Sequence, residues 1–404
     1  MTYILILIAI FFLIIGLAYS KNNIFSPSVL TSAVWIVCMI LLIYHSSQLP
    51  TLSFNFYLCV FLWMAGICLS SAIPQSATFQ DSKLNEPGKT IRDVYLIISV
   101  FIIPKLILFA KTAIENGETG VWAFDLRMAA LGQGSGFHDT LGGLIVLVTQ
   151  CSFMLELLCY DKKKKWRLVV ATFCYLLYGA VSMSKLTFLN IFLYACVILY
   201  FKKRISIKQI LGGLGVLLAF FLILQSVRHS IEISDAKRTA VSLYILGNFF
   251  AFDTLEPCTA LHWGENVFRA FYSMFYKLGI SDIESINPIL EWVYKPIPTN
   301  TYTSLYPYYV DFGIWGIIIF SILLGFLYGY FFRKAQTGSN FHLLVYAVIV
   351  GILVMQYAAD QFFSILAINL KVFILLFIPF FMTKNNLLSI KNKCFKNNLD
   401  AVRD

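Results

Sequence analysis

The sequence predicts an all-α integral membrane protein, a polytopic bundle of about eleven transmembrane helices with one large external loop containing short helices. Three observations carry this. Of the 404 residues, 59% are hydrophobic and only 13% charged, with a mean hydropathy of +0.77, whereas a soluble domain carries about 25% charged residues. The apolar residues fall in continuous runs of roughly 16 to 25 residues, near the ~20 that cross a hydrocarbon core as helix. These runs lack the period-2 alternation of a transmembrane barrel strand, so helices satisfy the backbone within the lipid.

Taken in order, the expected spans are 2–19, 28–44, 54–73, 94–113, 140–160, 168–183, 186–201, 209–226, 308–332, 342–359 and 362–382. The first starts at Met1 with no basic residue ahead of it and ends at Tyr19-Ser20-Lys21 without a small-residue cleavage site, so it reads as a retained span. The sixth and seventh are joined only by Met183-Ser184-Lys185. Four stretches follow from the spans: an N-terminal bundle over 1–226, a large loop over 227–307, C-terminal spans over 308–382 and a basic tail over 383–404. Within the large loop, Thr239–Phe252 and Val267–Ile280 are moderately apolar but interrupted by Asn248, Asp253, Arg269 and Lys277. They read as amphipathic helices at the membrane surface, with a re-entrant course as the alternative for either.

Orientation follows from the loop lysines and arginines. The run Asp161–Arg167 is the strongest cytoplasmic signal, followed by Lys202-Lys203-Arg204, Arg333-Lys334 and the C-terminal tail. Placing these inside puts twenty of the 31 basic residues in the cytoplasm, the N-terminus outside and the C-terminus inside. The net charge of +10 is thereby topogenic, and no nucleic-acid partner is expected. Of nine cysteines, Cys38, Cys59, Cys68, Cys151, Cys159, Cys174 and Cys196 lie in apolar runs and read as small hydrophobes. No metal-ligand, nucleophile-elbow or nucleotide-loop motif occurs, so no metal and no cofactor is expected. The glycines Gly132, Gly134 and Gly136 follow no strand and read as a flexible loop.

The informative residues are the basic ones left outside. Lys111, Arg127, Lys185 and Arg228 sit near the external face, Lys105 follows Pro104 inside its span, and Lys237, Arg238, Arg269, Lys277, Lys295 and Lys371 complete the set. Pairing with external acids or snorkelling accounts for any one of them. As a group they suit a phosphate or pyrophosphate on a membrane lipid, whose oxygens guanidinium groups bind bidentately. His229 adjoins Arg228 at the end of a span. Glu232, Asp235, Asp253, Glu256, Glu265, Glu291, Asp311 and Asp360 are the acids open to a general-base role. Trp292, Tyr294, Tyr302, Tyr306, Tyr308, Tyr309, Phe312 and Trp315 form an aromatic cluster; an interfacial belt is the plain reading and a sugar-stacking groove the functional one.

Four segments carry a resemblance. They are Pro296–Gly316, which reads PIPTNTYTSLYPYYVDFGIWG and runs into a helix with Gly325 and Gly329; the turn Ser182–Thr187; the loop around Phe124-Asp125-Leu126-Arg127; and Ser226–His229. Together with the architecture they resemble the Wzy-type O-antigen polymerases, which are oligosaccharide repeat unit polymerases. Lys185 stands where that family commonly has an arginine, which keeps the charge and loses the bidentate fork.

The resemblance implies a glycosyltransferase of the bacterial inner membrane whose long loops are periplasmic, and the want of a D-x-D motif in the external segments makes a metal-independent one the expectation. Its substrate would be an oligosaccharide on undecaprenyl pyrophosphate, and a chain-length regulator and a flippase of the same pathway are its implied partners beside the bilayer. Arg228, Arg127, Lys185 and His229 would act on the reacting groups, and Arg269, Arg238, Tyr302, Asp311 and Lys105 would hold substrate. The competing readings are an O-antigen ligase, which shares donor and loop, and a non-catalytic flippase or transporter. A transporter should show several charged sites near midplane; here these are chiefly Lys105 and Lys371.

Overall fold

The computed structural model describes residues 1–76, 86–117, 122–130, 140–229, 241–287 and 289–382. In chain order the helices are α1 (Thr2–Tyr19), α2 (Pro27–Tyr44), α3 (Phe54–Ser76), α4 (Lys89–Val100), α5 (Ile102–Glu115), α6 (Trp122–Ala130), α7 (Thr140–Leu158), α8 (Lys165–Val181), α9 (Lys185–Phe201), α10 (Ile207–His229), α11 (Val241–Asp253), α12 (Arg269–Lys277), α13 (Tyr306–Gln336), α14 (Asn340–Val354) and α15 (Leu366–Phe381). A helix occupies each range expected of a span. Among the described residues, six stretches are long and apolar enough to cross a membrane: α1, α2, α3, the α4–α5 run Lys89–Glu115, α13, and Asn340–Tyr357. Gly142–Leu158, Lys185–Phe201, Ile207–Phe221 and Leu366–Phe381 are shorter apolar helices. Large side chains such as Leu7, Phe11, Leu108 and Trp315 stay exposed, as a lipid-facing surface requires.

Local chemistry explains the breaks. Pro104 has no N–H to return to the carbonyl of Val100, and the helix is interrupted at Phe101 between α4 and α5. In α13 the break falls at Gly313, whose φ of 61° suits only glycine comfortably. The preceding carbonyls of Tyr309 and Val310 then accept from the N–H groups of Cys258 and Ala260, each at 3.2 Å, so the kink leaves them satisfied.

The chain clusters into two compact units. The first comprises 1–80, 235–334 and 348–370. Here α1 packs on α2 and α3. Helix α13 meets α3 along a small-residue seam: a Cβ on Gly329 would lie 2.3 Å from the Ser71 carbonyl oxygen, and one on Gly325 would lie 2.1 Å from Ser70 Oγ. The two glycines therefore set how closely the backbones approach.

Helix α11 departs from the surface-lying amphipathic reading of its two alternatives. Leu246, Asn248, Phe249, Phe250, Ala251 and Phe252 are all buried, with Phe249 packed on Trp35 and Phe56. Asn248 can enter this interior because Thr299 and Thr301 donate to its Oδ1, at 3.1 and 2.5 Å, and its Nδ2 donates to the Tyr357 carbonyl. Helix α12 agrees with its amphipathic reading; none of its residues is buried, and Phe271, Met274, Phe275 and Tyr276 are exposed.

The second unit comprises 81–234, 335–347 and 371–404. Helix α4 packs on α7 and α8, α5 on α6, α7 and α8, and α9 on α7, α8 and α10. A core of Ile102, Leu106, Phe109, Leu126, Cys174 and Met183 ties α5 and α6 to α8 and the turn after it.

Candidate functional site

In the first unit, the chemistry-bearing groups gather around the start of α12. Asp311, near the start of α13, accepts from the backbone N–H of Val267 at 2.8 Å, from that of Asn266 and from the Asn266 side chain at 2.7 Å. Its acceptor sites are spent on anchoring the segment that leads into α12, so it acts as a support for that helix. Phe268 completes the anchor, stacking on Trp263 and meeting Phe320 and Phe363 edge-on. The next residue is Arg269.

The Arg269 guanidinium is half-buried and donates to the Ser364 carbonyl. Among the described residues it forms no ion pair. Burial lowers its pKa, and the neighbouring Asp360 carboxylate works in the other direction. Asp360 lies in the turn before α15 and is itself buried. It accepts from the Ser364 N–H at 2.6 Å, the Phe362 N–H at 3.1 Å and the Tyr308 hydroxyl at 2.9 Å. Desolvation nevertheless raises its pKa above the usual carboxylate value, the hydrogen bonds opposing. Ser364 thus links the two charged groups, its carbonyl facing Arg269 and its N–H facing Asp360.

Behind this turn lies a polar interior. The indole N–H groups of Trp35 and Trp63 both donate to Gln356 Oε1, at 3.2 and 3.0 Å. Gln356 Nε2 and Ser304 Oγ are buried without a direct partner. Both border a cavity of about 10 Å³ that is also lined by Trp63, Tyr328 and Asp360. That is room for a single water-sized molecule with several polar neighbours.

In the second unit, Arg127 projects from α6 and its guanidinium donates to the Ser182 carbonyl at 3.4 Å, at the C-terminal end of α8. The chain then turns through Met183, at φ 49°. Ser184 caps α9 by accepting from the Thr187 N–H at 3.4 Å. Lys185 is the first residue of α9. Arg127 therefore reaches the end of α8, two residues before the turn residue Ser184 that precedes Lys185. Lys105 is half-buried on α5 in the same unit. Lys111 is exposed and pairs with Glu115 at 3.7 Å, one helical turn on, which accounts for its charge locally.

Arg228 and His229 form the last two positions of α10, and their side chains lie outside the described residues, as does Arg238. Tyr302 is buried, packs against Tyr306 with tilted rings whose centroids are 5.0 Å apart, and donates to the Glu291 carbonyl at 3.3 Å. With Tyr308 and Tyr309 it belongs to the packed interior. Of the aromatic cluster, only Trp292, Tyr294 and Trp315 present large exposed faces.

One charged group escaped the reading of the sequence. Glu156, inside α7, takes both Arg92 and Arg167. The signal was present, since it is a lone acid within an apolar run, and such residues have partners.

What the fold and these groups define is a chain that is helical among the described residues, with six helices there suited to crossing a membrane, compatible with a helical membrane protein, and carrying half-buried cations in both units. Comparison with known protein families, curated proteins and solved structures yields no match.

Proposed function

We propose that the chain is a surface-polysaccharide polymerase, a metal-independent glycosyltransferase spanning the bacterial inner membrane about eleven times, with its N-terminus and long loops periplasmic. A growing glycan on undecaprenyl pyrophosphate is transferred to a second lipid-linked repeat unit. A hydroxyl oxygen of the acceptor sugar attacks the anomeric carbon, the bond from that carbon to the pyrophosphate oxygen breaks, and the hydroxyl proton passes to a base. The lipid pyrophosphate leaves with the electron pair, and cations stabilise it.

The observation that carries this reading is Arg269. Its half-buried guanidinium donates to a main-chain carbonyl and forms no ion pair among the described residues, so it retains donors for an anionic ligand. Arg127, whose guanidinium donates to the Ser182 carbonyl just before the turn that leads to Lys185, supplies a second cation. Asp311 supports α12, and Asp360 orients Ser364. Both are positioning residues for Arg269 in this scheme.

The test is turnover of defined lipid-linked repeat units by the purified protein without added metal. Polymer formation supports the reading. Transfer only to a lipid A core acceptor would make the chain a ligase, and movement of units without glycosidic bond formation would make it a flippase. In cells the same three outcomes separate on deletion: one repeat unit on the core, none, or units retained inside.

A further inference from the structure

The second unit contains two adjoining hollows with different walls. The first, about 280 Å³, is lined by Glu86, Lys89, Arg92, Glu156, Asp161, Lys164 and Arg167, among others. The second, about 360 Å³, is bounded by Leu96, Ile97 and Trp166 together with Lys89, Asp93, Lys164 and Arg167. Lys89, Lys164 and Arg167 belong to both. One hollow is thus walled by charge, and the other runs from the same cations onto an apolar face. Ile97 and Trp166 on that face are 58% and 57% exposed. A tryptophan and lysines at the start of an apolar helix are the usual furniture of a membrane interface.

The charges sort into two groups. Glu156 is consumed by Arg92 and Arg167, and Arg167 also holds Asp93. That network is internally compensated. Lys89 and Lys164 enter no ion pair among the described residues. Glu86 enters none either, and Asp161 spends one carboxylate oxygen on the Lys163 N–H at 2.9 Å. The hollow therefore offers two cations and two carboxylates to whatever enters it. A purely anionic ligand would meet the acids unfavourably. A ligand carrying both a phosphate and a protonated amine matches both sets, because each charged group then gains an opposite partner.

We propose that these joined hollows bind a phospholipid with a zwitterionic aminoalkyl-phosphate headgroup, its phosphate held by Lys89 and Lys164, its ammonium by Glu86 and Asp161, and an acyl chain along Leu96, Ile97 and Trp166. The volume exceeds by far the ~10–15 Å³ that one water needs, and the apolar wall explains why a lipid suits it better than a free phosphate ester. The site rests on the chain lying in a bilayer and is independent of the polymerase reading.

The full-length protein, purified in a choline-headgroup detergent-free nanodisc, is exchanged against discs containing ethanolamine, choline or glycerol phospholipids of matched acyl chains, and bound lipid is counted by native mass spectrometry. Ethanolamine lipid should be retained preferentially, with about tenfold weaker retention in Lys164→Ala, in Lys89→Ala and in Glu86→Gln. Trp166→Ala should weaken retention of all three lipids alike. Retention of ethanolamine lipid by Glu86→Gln equal to that of the unsubstituted protein overturns the ammonium contact, and equal retention of choline and ethanolamine lipids overturns its N–H hydrogen bonds, which a quaternary amine cannot donate. Preference for the glycerol lipid overturns the zwitterionic assignment in favour of an anion site. Competition by soluble phosphoethanolamine as strong as by the lipid overturns the acyl-chain groove. The lysines and Glu86 are exposed, so their variants are expected to fold, and unchanged melting of each confirms that the readout is binding.

Discussion

Replacing Glu156 with glutamine should destabilise the protein strongly, although the change is isosteric. Glu156 is 3% exposed. Arg92 donates to it at 3.2 and 2.9 Å, and Arg167 at 2.9 and 2.8 Å, so both carboxylate oxygens are bidentately held from two sides. Glutamine keeps one acceptor oxygen and turns an NH₂ group toward guanidinium donors. Two arginines, both largely shielded from solvent, then share only Asp93, which touches Arg167 alone. Adding four charge-assisted bonds at ~1.5–3 kcal/mol each would overshoot, since those donors would otherwise bind water. The relevant figure is the penalty for stranding a buried charge, about 3–5 kcal/mol.

At the low end of ~2–4 °C per kcal/mol, as befits a long chain, the melting midpoint in detergent should fall by roughly 6–10 °C. A triple variant, Glu156→Leu with Arg92→Met and Arg167→Met, separates causes. If the loss comes from uncompensated charge, the apolar triple should recover most of it, because a buried ion network replaced by hydrophobic side chains of similar volume is often neutral. Wild-type melting of Glu156→Gln would refute the argument outright. A triple variant no better than the single one would refute the assignment of the cost to charge.

Other outcomes follow from the two cationic loci. Arg269→Ala should lower polymer formation by about 10²–10³ at normal protein abundance, and Arg269→Lys should restore only part, because the fork is lost; near-normal turnover of the alanine variant would remove Arg269 from the chemistry. Arg228→Ala should behave similarly, and the same turnover assay checks it. Reporter fusions test the orientation: alkaline phosphatase should be inactive when fused at Lys163 and active at Glu284. Asp360 has a raised pKa in the folded protein, so its contribution to stability is full below the unfolded carboxylate value and is lost as pH rises through the folded one. Asp360→Asn should therefore flatten the change in melting temperature across that acidic window, which a melting series over pH measures.

The helices were legible because long apolar runs announce themselves by length and composition, and a helix stands at each place where the sequence placed one. The interior of the large loop was less legible. Helix α11 looked too polar to be buried because Asn248 interrupts it, yet its partners Thr299 and Thr301 lie some fifty residues further on, and no local pattern encodes that pairing. The same holds for the aromatic residues after Trp292. As a sequence they read as an interfacial belt, but Gly313 lets α13 bend, loop residues 258–260 cap the freed carbonyls, and Tyr308 is turned inward to Asp360.

The candidate site divides in the same way. The cations could be named in advance because an arginine or lysine in a segment expected to lie outside the cytoplasm requires a reason. Their fates could not be, since these depend on which carboxylates fold beside them. Lys111 finds Glu115 one turn away and is accounted for locally. Arg269 finds a carbonyl, and the acid nearest to it in charge, Asp360, is already engaged by two backbone N–H groups and a tyrosine. That difference makes Arg269 the stronger candidate for an anionic ligand. Neutralising Lys111 leaves a locally paired acid exposed to water at little cost; neutralising Arg269 removes a desolvated charge whose remaining donors have no acidic partner among the described residues. If the polymerase reading is right, the two alanine variants should part by orders of magnitude in turnover while differing little in stability. If both are silent, the cationic loci serve packing alone and the chemistry must be sought elsewhere in the chain.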